Sequence, residues 1–481
     1  MNDKKQLKLN ILYNGLYQVL NLIVPLITAP YISRTLGAEP LGTYDYVLAN
    51  TGYFLMLQGL GFGLYGSIRV AAVRDDPEAL NQVFWKVFLA KLLLCAATVI
   101  SFLIFIPFQK SSYRSLYLIF LLSILAGGID LSWFLTGLEQ FKITLSRNAA
   151  VRVASCVLIF LLVRSKNDLG MYAVIMQGAA LVGNLCLLPG VRPHIGAPRF
   201  KGKELFVCMA ESMVYFVPGI INTIFASVDR TMLGSMSRIE EVAYYEQAVK
   251  IVNLCSTLIS SVSAVILPRM TYLFHNEKDP HVVQALFYRS MNGIFAVTAA
   301  VSFGAAAIAD LFIPAFFGEE FTASAPLLKI LSINIFTIAV SNFCGQQGLI
   351  ARGRQREYNI SITVSAALNV GLNALVVRRF GAVGVSATSA FAGIVGLFVI
   401  LFFMRDFATA AQLLNRNWKY LAAGAVMLGT VAQLPDSLPS WPGVFLRIAL
   451  GGAVYFVLLG VLRDEFFLDL VRSLWKRRNT P

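Results

Sequence analysis

Two lysines and two arginines stand where such side chains are seldom tolerated. Lys91 and Lys250 fall well inside long apolar stretches, and Arg147 and Arg152 open another, about one turn apart. An ionisable group at membrane depth costs roughly 2.5–3.5 kcal/mol on insertion scales, so each calls for a wet cavity or an opposite charge. Carboxylates that could serve as partners, or as Na⁺ or H⁺ coupling sites, are Asp45, Asp130 and Glu246, with Glu211 and Asp229 nearby in type and depth. The surplus of positive groups suggests an anionic cargo. Arg grips an oxyanion through two parallel hydrogen bonds, whereas Lys offers a point charge. The alternative is intramembrane ion pairing or, for Arg34, Arg230 and Arg269 at helix ends, snorkelling toward water. Asp229 is poorly placed to neutralise Arg230, because adjacent helical residues point about 100° apart.

Other patterns resemble chemical sites without their context. Gly61-Phe62-Gly63-Leu64-Tyr65-Gly66 has the spacing of a dinucleotide loop, but no strand precedes it and no acid is placed for a ribose. Close helix packing is the expected use, with Gly59 and Gly63 at small-xxx-small spacing. Gly196 to Lys203 is one residue longer than a P-loop and lacks a hydroxyl after Lys203. His194, His275 and His281 are scattered over loops, so no metal site is expected. Cys95, Cys156, Cys186, Cys208, Cys255 and Cys344 have no paired spacing and read as small reduced core residues. No connecting loop is large enough to be a catalytic domain, and no catalytic residue is expected.

The elements that must position these side chains are dictated by lipid. With 57% hydrophobic and 14% charged residues and a mean hydropathy of +0.68, the chain has more apolar surface than a soluble core can hide. Its apolar runs approach the ~20 residues that cross ~30 Å of hydrocarbon. They predict an all-α integral membrane protein with about fourteen spans, near 9–33, 41–65, 82–106, 115–137, 148–164, 169–188, 206–234, 242–267, 287–311, 324–350, 358–377, 384–404, 418–434 and 443–462. Strands are excluded at this depth because an open sheet edge leaves backbone groups unsatisfied. Pro25 and Pro30 in the first span and Pro218 in the seventh each remove a backbone bond; Pro25 and Pro218 are candidate hinges, with a fixed kink as the alternative.

With the N-terminus inside, 25 Lys and Arg fall on the cytoplasmic segments and 8 on the opposite loops, which predicts cytoplasmic termini. The formal charge of +14 is thereby a topology signal dealt out loop by loop, and nucleic acid is not an expected partner. The tail Trp475-Lys476-Arg477-Arg478 reads as an interfacial anchor to membrane lipids. The first apolar stretch is too long for a signal-peptide core.

The chain also copies itself six spans later, in the same orientation. Arg34-Thr35-Leu36-Gly37 followed by Tyr44-Asp45 is echoed by Arg230-Thr231 and Gly234 followed by Tyr245-Glu246. Gly137-Leu138 before Lys142 is echoed by Gly348-Leu349 before Arg352. The expected domains are an N-terminal lobe at 1–190, a C-terminal lobe at 204–406, and spans thirteen and fourteen with the basic tail at 415–481. Two pseudo-symmetric six-helix lobes suit a transporter with its site between them.

Pro30 to Gly37 with Leu41-Gly42-Thr43-Tyr44, the run Trp133 to Lys142, and Leu233-Gly234 resemble the signatures of polysaccharide-biosynthesis flippases. These are the Wzx-type members of the multidrug/oligosaccharidyl-lipid/polysaccharide exporter superfamily. The resemblance extends over the chain in length, span number and motif order. It implies V-shaped paired lobes in the bacterial inner membrane, alternating access, and an undecaprenyl-pyrophosphate-linked oligosaccharide as cargo. A polymerase and a chain-length regulator of the same pathway are implied partners. On this reading Lys91, Lys250, Arg34, Arg147, Arg152, Arg230 and Arg269 form a cationic cavity facing the pyrophosphate. No cofactor is expected; Na⁺ or H⁺ coupling and the membrane potential alone both remain open. The alternatives are a multidrug or organic-cation exporter of the same superfamily and a membrane-embedded polymerase or ligase.

Overall fold

The computed structural model describes residues 20, 23–198, 202–276, 279–434, 440–469 and 472. Among them there is no strand. Two compact units are formed, residues 1–235 and 236–481.

In the first unit α1 covers residues 23–36, α2 Ala38–Gly59, α3 Phe62–Val73, α4 Pro77–Phe105, α5 Ser111–Gly128, α6 Ser132–Gly137, α7 Phe141–Leu162, α8 Leu169–Leu185, α9 Leu188–Val191, α10 Gly202–Ser212 and α11 Val217–Met236. Local chemistry explains where these start and stop. Asp76 precedes Pro77 and accepts from the Glu78 and Ala79 amides at 3.0 and 3.1 Å, so two amides that open α4 are satisfied. The second expected span is broken by consecutive left-handed residues, Leu60 and Gly61, with φ of 36° and 74°. A Cβ on Gly61 would strike the carbonyl of Ser212, which explains why glycine follows Leu60.

Two apolar centres lie along α4. Phe84, Val87 and Ala90 pack with Phe62, Trp133 and Phe134, while Cys95 and Phe102 pack with Tyr117, Phe120 and Tyr44. Helices α10 and α11 also join this unit. Lys86 pairs with Glu204 at 3.0 Å, Cys208 enters the first apolar centre, and Gly234 lies against the Tyr46 ring so closely that a Cβ would overlap it. By packing, then, these two helices group with the helices before them, whereas the C-terminal lobe expected from the sequence starts at 204.

The second unit comprises α12 Ile239–Asn276, α13 Pro280–Phe317, α14 Ser324–Phe343, α15 Gln355–Phe403, α16 Ala410–Ala432 and α17 Ser440–Val461. Asp279-Pro280 repeats the Asp-Pro start of α4, the carboxylate accepting from the His281 amide at 2.9 Å. Thr409 and Gln412 form a reciprocal capping box at α16. α15 is two helices joined at Gly381, whose φ of 52° and ψ of −137° suit glycine alone. There Glu241 reaches across from α12 and accepts from the Ala382 amide at 2.6 Å.

Each expected span overlaps a helix. Nine described helices are long and apolar enough to cross a membrane by length and composition, Gln355–Phe403 being the one that contains the Gly381 break. The chain is a multi-pass membrane protein.

Two expectations are corrected at the level of packing. A Cβ on Gly59 or Gly63 would meet nothing within 4 Å, so these do not form the close contact; Gly61 and Gly66 do, the latter against the Trp133 ring. Cys186 is exposed, whereas Cys95, Cys208 and Cys344 are buried. Pro218 is the second residue of α11 and follows the 3₁₀ turn Met213–Tyr215, within the seventh expected span. Pro25 lies on α1, and residues 21 and 22 before it are outside the described residues.

The second echo of the repeat is also shifted. After α6 the Glu139 amide donates to Thr136 and the Gln140 amide to Leu135, with Glu139 at φ 59°. After span ten the Gly353 amide donates to Ile350 and the Arg354 amide to Leu349, with Gly353 at φ 74°. The two stops have one geometry, and they align Glu139 with Gly353 rather than Gly137 with Gly348.

Candidate functional site

Lys91 is 5% exposed on α4, between the two apolar centres of the first unit. Its ammonium donates to the Asp130 carbonyl at 2.7 Å and lies 3.9 Å from that residue's carboxylate. Asp130 occupies the break between α5 and α6. Its carboxylate also accepts from the Ser132 amide at 3.0 Å and the Ser132 hydroxyl at 2.9 Å, at the first residue of α6. Lys91 and Asp130 are thus brought together, and both are held by the fold.

The remaining predicted residues of this unit are spread over α1, α2, α7 and α11. Asp45 is buried on α2 and Arg34 exposed at the end of α1; both are engaged by neighbours. Arg147 lies against Gly183 of α8, where a Cβ would come 3.2 Å from its guanidinium. Arg152 is half-buried on the same helix. Beside Arg230 on α11, Thr231 donates to Asn50 at 3.1 Å and accepts from Tyr53 at 3.3 Å. Asn50 donates in turn to the Tyr117 hydroxyl at 2.7 Å.

In the second unit Lys250 is half-buried on α12, and its ammonium reaches Gln247 of the same helix at 3.5 Å. Glu246 is buried and engaged. Arg269 follows the internal Pro268 and is exposed.

The repeat extends to contacts. Tyr44 accepts from Gln177 of α8 at 3.0 Å, and its counterpart Tyr245 meets Ser389, in the half of α15 after Gly381, at 3.3 Å. Each tyrosine therefore reaches the sixth span of its own half. Sequence reasoning missed what surrounds Ser389. Asn369 donates to it at 3.0 Å, Asn373 donates to Asn369 at 3.3 Å, and Thr388 donates to Asn373. All are buried. Two asparagines four residues apart inside one apolar run were the available signal, since they share a helix face.

On the loops, Asp406 takes Arg352 on both of its oxygens and Arg354 on one, at 3.2 Å. The Arg352 guanidinium holds this carboxyl below the usual carboxylate range. Ala197 and Gly196, in the P-loop-like segment, are tied to Asn81 and Trp85 of α4 at 2.9 Å each, a structural use of that loop.

Residues 7–274 match the model of a family described as polysaccharide biosynthesis protein. The chain belongs to that family. Residues 198–450 further match the model for the lipid II flippase MurJ. A protein of Escherichia coli (strain K12) named for O-antigen transport is 23% identical over 391 residues, covering 80% of this chain and 94% of its own. Among solved structures, lipid II flippase MurJ in an inward closed conformation has a TM-score of 0.77 at 16% identity, covering 96% of this chain and all of that one. An inward-facing multidrug MATE transporter gives 0.58 at 14% identity, covering 88% and 96%. At these identities the structures establish the fold: this member of the polysaccharide biosynthesis family has the architecture shared by MurJ and MATE transporters. The segments that carry the resemblance serve packing here, Gly234 against Tyr46 and Trp133 against Gly66.

Proposed function

We propose that the protein is a flippase, not an enzyme, and that it carries an undecaprenyl-pyrophosphate-linked oligosaccharide from the cytoplasmic to the outer leaflet of a bacterial inner membrane. The carrying observation is the near full-length match to the relative named for O-antigen transport, within a polysaccharide biosynthesis family. The MurJ-like fold supports it. On this reading fourteen spans leave both termini cytoplasmic, and the lobes work by alternating access. A polymerase and a chain-length regulator act on the product. The cationic cavity comprises Lys250, Arg34, Arg147, Arg152, Arg230, Arg269 and Lys91, the last acting through Asp130.

Each negative charge moved outward gains ~2.3 kcal/mol per 100 mV of potential. The potential alone is therefore a sufficient drive in principle, with Na⁺ or H⁺ coupling at Asp45, Asp130 or Glu246 as the other route. A multidrug exporter shares the fold, at the lower score, but the surplus of intramembrane cations suits an anionic cargo better.

The test is a reconstituted vesicle holding a lipid-linked oligosaccharide with its sugar on one face, followed by lectin access on the other. Lys250→Ala should abolish transport with protein level unchanged, and Lys250→Arg should keep part of it, since charge survives and geometry changes. Normal transport by Lys250→Ala would remove Lys250 from the cavity. No transport by the unaltered protein, with a multidrug cation carried instead, would overturn the reading.

A further inference from the structure

A cavity of about 410 Å³ opens in the second unit, at the end of α16 that faces the same side as the segment after α17. Its wall carries both signs of charge. Arg289 of α13 and Arg416 of α16 supply guanidinium groups, while Glu465 and Asp469, beyond α17, supply carboxylates. All four side chains are exposed at the mouth of the cavity. Here Arg289, Arg416 and Glu465 form no ion pair with a described residue, and Asp469 reaches only Arg472, at 3.9 Å. Arg416 instead lies over the Tyr288 ring, 4.2 Å from its centre, and the Tyr288 hydroxyl is spent on Gln412 at 3.0 Å. The carboxamide oxygen of Asn292, also on the wall, is buried and accepts from nothing among the described residues.

The cavity thus brings together two guanidinium groups and two carboxylates that form no ion pair with one another. A ligand that completes both carries an anion and a hydrogen-bonding cation a few bonds apart. Its place in the fold says where such a ligand comes from. Leu414 and Trp418, on another face of α16, are 55% and 46% exposed, and a Trp beside basic residues at a span end marks headgroup level. Phe466 packs on Gly293, where a Cβ would come within 3.1 Å, so the segment that brings the carboxylates is fixed to α13.

We infer that this cavity is a lipid-headgroup site selective for phosphoethanolamine. Arg289 and Arg416 hold the phosphodiester. Glu465 and Asp469 accept from the primary ammonium. None of the cargo residues discussed above lines the site, and the inference does not depend on which cargo is moved. An anionic headgroup such as glycerol phosphate would satisfy the guanidiniums and repel the carboxylates. A choline headgroup has the charge but no N–H to donate.

Native mass spectrometry of the full chain, loaded with equimolar phosphatidylethanolamine, phosphatidylglycerol and phosphatidylcholine of identical acyl chains, tests this directly. About tenfold enrichment of the phosphatidylethanolamine adduct over each competitor is expected, corresponding to ~1.4 kcal/mol. The pair Glu465→Gln with Asp469→Asn should bring phosphatidylethanolamine down to the phosphatidylglycerol level. Arg289→Ala with Arg416→Ala should lose both. Equal retention of the three lipids by the unaltered protein, a comparison that requires no variant to fold, would overturn the inference. So would enrichment that survives the double arginine variant.

Discussion

Lys91 and Lys250 have the same side chain and the same expected role, yet the fold treats them differently. Lys91 is enclosed and satisfied by Asp130, so its removal leaves a partly buried carboxylate short of its cation. Breaking a fully buried pair costs about 3–5 kcal/mol; Asp130 keeps some exposure and its contacts to Ser132, which puts Lys91→Ala nearer 2. A lowered melting temperature in detergent is expected, partly restored by adding Asp130→Asn, and an unchanged melt would mean the pair contributes nothing. Lys250→Ala should leave the melt alone. A second contrast sits inside one motif. Gly66→Ala drives a methyl into the Trp133 ring, whereas Gly63→Ala meets open space inside a helix. The first should lower the yield of folded protein sharply, and the second should change stability by less than about 0.5 kcal/mol. Equal melts would show that Trp133 gives way without cost.

At the scale of elements, the loop after α15 is held to the loop before it by Asp406 with Arg352 and Arg354. The folded carboxyl titrates below its unfolded value of about 3.9. This contribution is therefore present above pH ~4 and is lost as pH falls through the depressed folded value. Asp406→Asn should lower the melting temperature at pH 7, by an amount under about 1 kcal/mol because half of the side chain is in water. The difference from the unaltered protein should close at acid pH, and a pH-independent difference would assign the loss to packing instead. The helices themselves were legible because about twenty apolar residues in a row have few other fates. Their interruptions were not. Leu60 takes a left-handed conformation that its side chain disfavours, and only the carbonyl of Ser212, remote in sequence, shows why Gly61 must follow. Gly137 and Gly348 look equivalent as letters, but the register is set by the positive φ of Glu139 and Gly353. Asp130 was open between ion-pair partner and coupling site because its contacts, to Lys91 and to Ser132, fall on α4 and on the first residue of α6.

For the molecule as a whole, the 25-to-8 distribution of Lys and Arg makes a claim about sidedness. A reporter active only in the cytoplasm should work when fused after Pro481 and fail when inserted within 435–439. Equal signals at both places would mean an even number of crossings between them. Motion on this scale is constrained by a feature seen at Gly381. The amide of Ala382, buried at the start of a new helix, is served by a carboxylate that belongs to α12. Parting α12 from this junction would strand that amide and a carboxylate together, at a cost of several kcal/mol where water does not enter. The two helices are pinned like the limbs of a pair of shears at the rivet: free to pivot slightly about Glu241, unable to slide along each other. Whatever gating the second unit performs must carry them as a single lever, and the give has to come from joints that no side chain bridges in this way.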